Sequence, residues 1–175
     1  MSGLEITELQ EGLAQIAGSP LDGGSVEMIV RRPTVDEREV VTEARIQPGL
    51  GLVGDSWRTR PHPSSEAEIT LMNSRCVALL AGDVDHWPLA GDQLYVDFDL
   101  GEQNLPAGTR LRLGSVLLEV SAKPHTGCSK FSTRFGAESL GFVNSTDGRA
   151  MRLRGLNARV VEGGIVRTGD LVTKE

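Results

Sequence analysis

Cysteine is scarce in this chain, which holds only Cys76 and Cys128. Two thiols far apart in sequence, neither in a CxxC pair nor in a histidine-rich stretch, exclude a disulfide framework and leave reduced thiols as the expectation. Long apolar runs are missing too: none approaches the roughly 18–20 residues that a bilayer requires, so no membrane partner is expected. Rings are few, with aromatics at 4%, which leaves little against which single-stranded nucleic acid could stack. Positive charge is in deficit, 18 Lys plus Arg against 24 Asp plus Glu for a net charge of -6. That balance disfavours the broad basic surface of a protein that lives on nucleic acid or anionic lipid. The opening "MSGLEITELQEGLAQIAG" has no lysine or arginine, so neither a secretory leader nor a transit peptide is expected, and the expected location is cytoplasmic.

What is present is 175 residues, enough to bury a core without bridges or a structural metal. Leu9, Leu13, Ile16 and Ala17 recur at helical spacing and "GSP" stops them, which predicts a short N-terminal helical extension within residues 1–24. From residue 25 to 175 the pattern is β-rich. "SVEMIVRRP" and "REVVTEARI" read as two strands, and "AEITLMN" as a third. The glycine-rich "PGLGLVGDSW" and the polar "RTRPHPSSE" form a long connection of the kind that carries function. "NSRCVALLAG" reads as a helix capped at Asn73 or Ser74 and stopped at Gly82, with Cys76 on it. Then come "QLYVDF", "TRLRLG", "SVLLEVSA", "ARVVEG", "GIVRTG" and "DLVTK", separated by glycine turns. Short strands at this spacing with two or three helices predict a closed or nearly closed β-barrel of α+β composition. Gly163 and Gly164 in "EGG" are expected to reverse a hairpin through positive φ, and Gly169-Asp170 to turn into the last strand.

One loop departs from the charge of the whole. In "KPHTGCSKFSTRFG" Lys123, His125, Lys130 and Arg134 surround Cys128 with no acid among them. Pro124 and Gly127 break the chain after an apolar strand, so the thiol is expected beyond a strand end, where "CSKFSTRFG" can open a helical turn. Neighbouring cations and helical N–H groups favour the thiolate, the form that attacks or binds metal. The bland alternative is a small buried residue beside a solvated charged face. A cysteine-protease reading fails because His125 sits three residues away in the same loop, and a zinc reading because Cys76, His62 and His86 are scattered. Arg149, Arg152, Arg154 and Arg159 read either as an anion-facing rim or as partners of surface acids.

In this order, "GLVGD" at 51–55, "GTRLRLGSVLLEVSAKPHTGCSKF" at 108–131 and "RGLNARVVEGGIVRTGDLV" at 154–172, the chain resembles the MOSC domain, the module named for the C-terminal part of molybdenum cofactor sulfurase. The resemblance implies a β-barrel, with Cys128 as the family's signature cysteine. It implies binding of molybdenum cofactor (molybdopterin), or sulfur carriage to it from a sulfur donor. Some stand-alone bacterial members resemble reductases of N-hydroxylated compounds, and pyridoxal phosphate is a further family-level association. Cys128 is then a metal ligand or a persulfide carrier, Asp55 lies near the site, and Lys123, His125, Lys130 and Arg134 are candidate cofactor contacts. As a reductase the chain would need a separate electron donor, because it has neither an iron–sulfur cysteine cluster nor a GxGxxG loop. The family's "GEN" is echoed by Gly91-Asp92-Gln93 and by Gly101-Glu102-Gln103-Asn104.

Overall fold

The computed structural model describes residues 4–175. Its centre is a sheet in which β1 (Gly24–Arg31), β6 (Leu94–Asp97), β5 (Ile69–Asn73), β9 (Leu156–Glu162), β8 (Val116–Val120), β7 (Arg110–Leu113) and β11 (Leu171–Lys174) pair in that order. β11 returns to β1 through Gly24↔Val172 and Ser25↔Leu171, closing a seven-stranded barrel. Among the described residues only β5 and β6 run parallel, and α2 (Ser74–Ala81) makes the crossover that a parallel pair needs. Asn73 caps that helix, its Oδ1 accepting the N–H groups of Arg75 and Cys76, and Gly82 ends it at φ 70.

Strand alternation sorts the apolar side chains into two cores. Leu94 and Val96 point into the barrel while Tyr95 points out, and Ile69 and Leu71 point in while Met72 points out. β1 changes parity at a bulge between Val26 and Met28, so that Val26 and Ile29 face in and Met28 and Val30 face out. The outward set packs under α1 (Ile6–Ala17), α2, α3 (Ser129–Phe135) and α4 (Ala137–Asn144), with Leu9, Val77, Phe131 and Phe142 in contact. The N-terminal helix thus lies on the barrel wall.

Three expectations change. "REVVTEARI" is split at Thr42 into β2 (Glu39–Val41), which extends β1, and β3 (Glu43–Gln47), which leaves the barrel to join β4 (Gly51–Leu52) and β10 (Gly164–Arg167) in a second sheet. "EGG" is no hairpin, because β9 pairs with β5 and β8 whereas β10 pairs with β3, and neither glycine has a positive φ. Crowding is what requires them: a Cβ on Gly163 would lie 2.9 Å from the Ile46 carbonyl, and one on Gly164 2.3 Å from Ser115 Oγ. The segment after α3 supplies α4 and α5 (Thr146–Ala150), beyond the two or three helices expected.

Candidate functional site

The segment after β1, the turns after β4, the approach to β6, the loop after β8 and α3 enclose a cleft of about 650 Å³. Cys128, Lys123, His125, Lys130 and Arg134 all line it, and so do Arg32, Arg38, Arg60, Arg154, Asn157 and Trp57. Asp36 is the one acid on its wall.

Cys128 is exposed and stands at the N-cap of α3. The N–H of Phe131 lowers its pKa below the ordinary thiol range; burial opposes it, and the N–H of Lys130 and the charges of Arg154 and Arg134 act in the same direction as Phe131. Neither N–H closes a full hydrogen bond to the sulfur. The loop is held from two sides. Asn144 on α4 accepts from the Gly127 N–H at 2.9 Å and donates to the Gly127 carbonyl at 3.1 Å. Asn157 on β9 donates to the carbonyls of Lys123 and Pro124, each at 3.2 Å. Gly127 itself is packed so closely that a Cβ would lie 2.7 Å from Leu140 Cδ1. Cys76 differs in every respect: it is fully buried under α2, which pushes its thiol up to about 12.

Asp55 is placed elsewhere. Its carboxylate is buried behind the cleft and accepts from Arg32 N and Nε at 2.9 Å, Arg32 Nη2 at 2.8 Å, Trp57 N at 3.0 Å and Gln93 Nε2 at 3.2 Å. Burial raises its pKa, and the hydrogen bonds and charge of Arg32 outweigh that and bring it below the usual carboxylate range. Asp55 therefore acts on the cleft through Arg32.

Asp92 does the same on the other side. Fully buried, it accepts from Arg154 Nη1 at 2.5 Å and lies 2.8 Å from His125 Nε2. Arg154 also stacks its guanidinium 5.0 Å from the Phe131 ring centre. The sequence offered Asp92 and Gln93 only as a faint motif echo. Both are fully buried and polar, and Gln93 Oε1 accepts from Thr70 N at 2.8 Å, so the pair is the polar floor beneath the cleft.

Three arginines from separate elements anchor on one tripeptide before β6. Arg134 Nη1 donates to Leu89 O at 2.9 Å, Arg154 Nη2 to Ala90 O at 2.9 Å and Arg32 Nη1 to Gly91 O at 2.8 Å. A Cβ on Gly91, whose φ is 90, would sit 3.6 Å from Arg134 Nη1 and 3.8 Å from Arg38 Nη2. Burial first, then the charges of Arg134 and Arg32, lower the pKa of Arg38, and its Nε is buried without a hydrogen-bond partner. Among the described residues no acid lies within ion-pair distance of Arg38, Arg60, Lys123 or Lys130, while Asp36 reaches Arg134 only at 3.7 Å. Arg32 and Arg38 carried no signal in the sequence, because only the closed barrel brings the end of β1 beside the cysteine loop, whereas Arg60 lies in the connection "RTRPHPSSE" that the sequence marked as a functional one.

A closed barrel with a thiol-bearing cationic cleft defines a structural class, and the comparisons give that class its family. Residues 62–173 match the model of the MOSC domain, and the chain belongs to that family. Its fold is shared with YuaD of Bacillus subtilis (TM-score 0.64, 14% identity, covering 87% of this chain and 95% of that one). It is shared also with YiiM of Escherichia coli (TM-score 0.58, 19% identity, 86% and 69%) and YiiM of Geobacillus stearothermophilus (TM-score 0.54, 13% identity, 90% and 74%). No curated protein matches at a significant level.

Proposed function

We propose that the cleft binds molybdenum cofactor, with Cys128 Sγ as the soft ligand to the metal and Arg38 and Arg60, which have no acid partner among the described residues, as the seat of its phosphate. The observation that carries this reading is the pairing, in one cleft, of a thiol with a lowered pKa and a set of cations that lack acid partners. A thiolate suits a soft metal, and guanidinium groups suit phosphate through paired N–H donors. The cleft volume of about 650 Å³ falls within the range of roughly 300–1,000 Å³ typical of ligand sites. Bound molybdenum would supply two-electron oxidation–reduction, here the reduction of an N-hydroxylated compound with electrons from a separate donor. The chain's own groups would bind and orient: Arg38 and Arg60 neutralise the anion, Trp57 offers an apolar wall, and His125, fixed by Asp92, lines the site. The exposure of Cys128 favours one second reading, in which the same thiol carries sulfur to the cofactor as a persulfide.

The test is metal analysis of protein purified from molybdenum-supplied cells. About one molybdenum per chain is expected, lost in Cys128→Ser without loss of fold, since the thiol is exposed. A wild type without molybdenum but with one extra sulfur on Cys128 by intact-mass measurement would select sulfur carriage. Molybdenum retained in full by Cys128→Ser would end both readings.

A further inference from the structure

A second cavity, of about 200 Å³, lies against the loop that carries Cys128 and uses residues the first does not. Lys123, His125 and Arg154 border both spaces, so the loop and the His125–Asp92–Arg154 group form a partition between them. The further charged lining comes from Arg149 and Arg152, with Glu102 as the only acid among the described residues. At roughly 30 Å³ per water, 200 Å³ holds about seven waters, too little for a cofactor and enough for one tetrahedral oxyanion with part of its hydration.

From the four cations and this volume we infer that the chamber is a site for a small inorganic oxyanion of phosphate or sulfate size, separate from the cofactor cleft. Arg154 is held by Asp92 and Ala90 O, with its Nε buried and without a partner. Arg152 is held by Leu100 O at 3.1 Å and Leu105 O at 2.6 Å. These two are fixed donors. Arg149 and Lys123 have no ion-pair or side-chain hydrogen-bond partner among the described residues and are exposed, which makes them the groups able to close on an arriving anion. The backbone is committed to this shape. Arg152 takes a left-handed φ of 48, and Gly155, at φ 112, packs where a Cβ would lie 2.3 Å from Leu71 O and 3.2 Å from His125 Cδ2. Strain of this kind persists where the surroundings over-determine it, often at ligand sites. His125 borders this chamber as well as the cleft.

The test is a titration of the full chain with inorganic phosphate, then sulfate, followed by backbone amide NMR. The amides of Gly148, Arg149 and Gly155 are expected to shift and saturate on their own isotherm. Arg149→Gln, at an exposed position, should weaken that isotherm about tenfold and leave the shifts at Gly91 and Arg60 unchanged. Arg38→Gln combined with Arg60→Gln should do the reverse, and Cys128→Ser should alter neither, so failure of the cofactor reading leaves this result standing. Chamber amides that stay still at tens-of-millimolar phosphate would overturn the inference. So would chamber shifts that follow the cleft isotherm and survive Arg149→Gln.

Discussion

At the scale of single residues, the site rests on two buried carboxylates that do not line the cleft. Asp92 has two side-chain partners, the Arg154 guanidinium and the His125 ring. Burial opposes its charge, and Arg154 and then His125 reverse the balance and hold it at about 2. A depressed carboxyl stabilises the fold above its unfolded value near 3.9 and loses that contribution as pH falls toward about 2. Asp92→Asn removes the counter-charge and leaves Arg154 buried without it, which costs about 3–5 kcal/mol. Denaturant melts should show that loss at neutral pH and a shallower acid transition than the wild type; a loss below about 0.5 kcal/mol would mean that Arg154 finds solvent instead. These two acids also mark what the sequence could convey. The cations near Cys128 are local and were legible as a cluster. Asp55 meets Arg32 across 23 positions and Asp92 meets Arg154 across 62, and such pairings exist only once the barrel has closed.

At the scale of elements, the cysteine loop is set by a helix that the sequence pattern did not announce. α4 has little amphipathic contrast, because Ser139 faces the core beside Phe142 and Val143, so its period was hidden. Its last residue, Asn144, nonetheless grips both polar atoms of the Gly127 peptide, one position before the thiol. Asn144→Ala is expected to leave the barrel folded and to free the loop, moving Cys128 away from the Phe131 N–H. In the wild type the rate of iodoacetamide alkylation at Cys128 should inflect below roughly pH 8.5, and in Asn144→Ala it should move up toward that value. An identical profile in the two proteins would show that α3 alone poises the sulfur. Cys76 gives the internal control, staying unmodified until the chain unfolds. The strands around the loop were read well from alternation. Gly163 and Gly164 were misread because a glycine demanded by packing looks, in sequence, like a glycine demanded by a turn.

At the scale of the whole molecule, the barrel closes on a short seam. β1 and β11 meet over two residue pairs, supported by Val26 N to Asp170 O at 2.9 Å and Gly169 N to Val26 O at 2.7 Å. A Cβ on Gly24 would lie 2.0 Å from the Asp97 carbonyl on β6, the opposite neighbour. Gly24→Val therefore forces β1 away from β6 at the point where it must also hold β11, and should cost about 2–4 kcal/mol. Thermal unfolding checks it: a melting temperature within about a degree of the wild type would show that the seam yields without cost. The anchoring of Arg134, Arg154 and Arg32 on Leu89, Ala90 and Gly91 has a consequence for how such a protein can change over time. Three walls of the cleft share one short datum, so an insertion or deletion there would displace them all at once and be selected against. Variation is left to the segments at 33–38 and 58–64, whose residues line the mouth and are largely exposed. The lining of the mouth can change through those two stretches while the thiol and its charge surroundings stay in register.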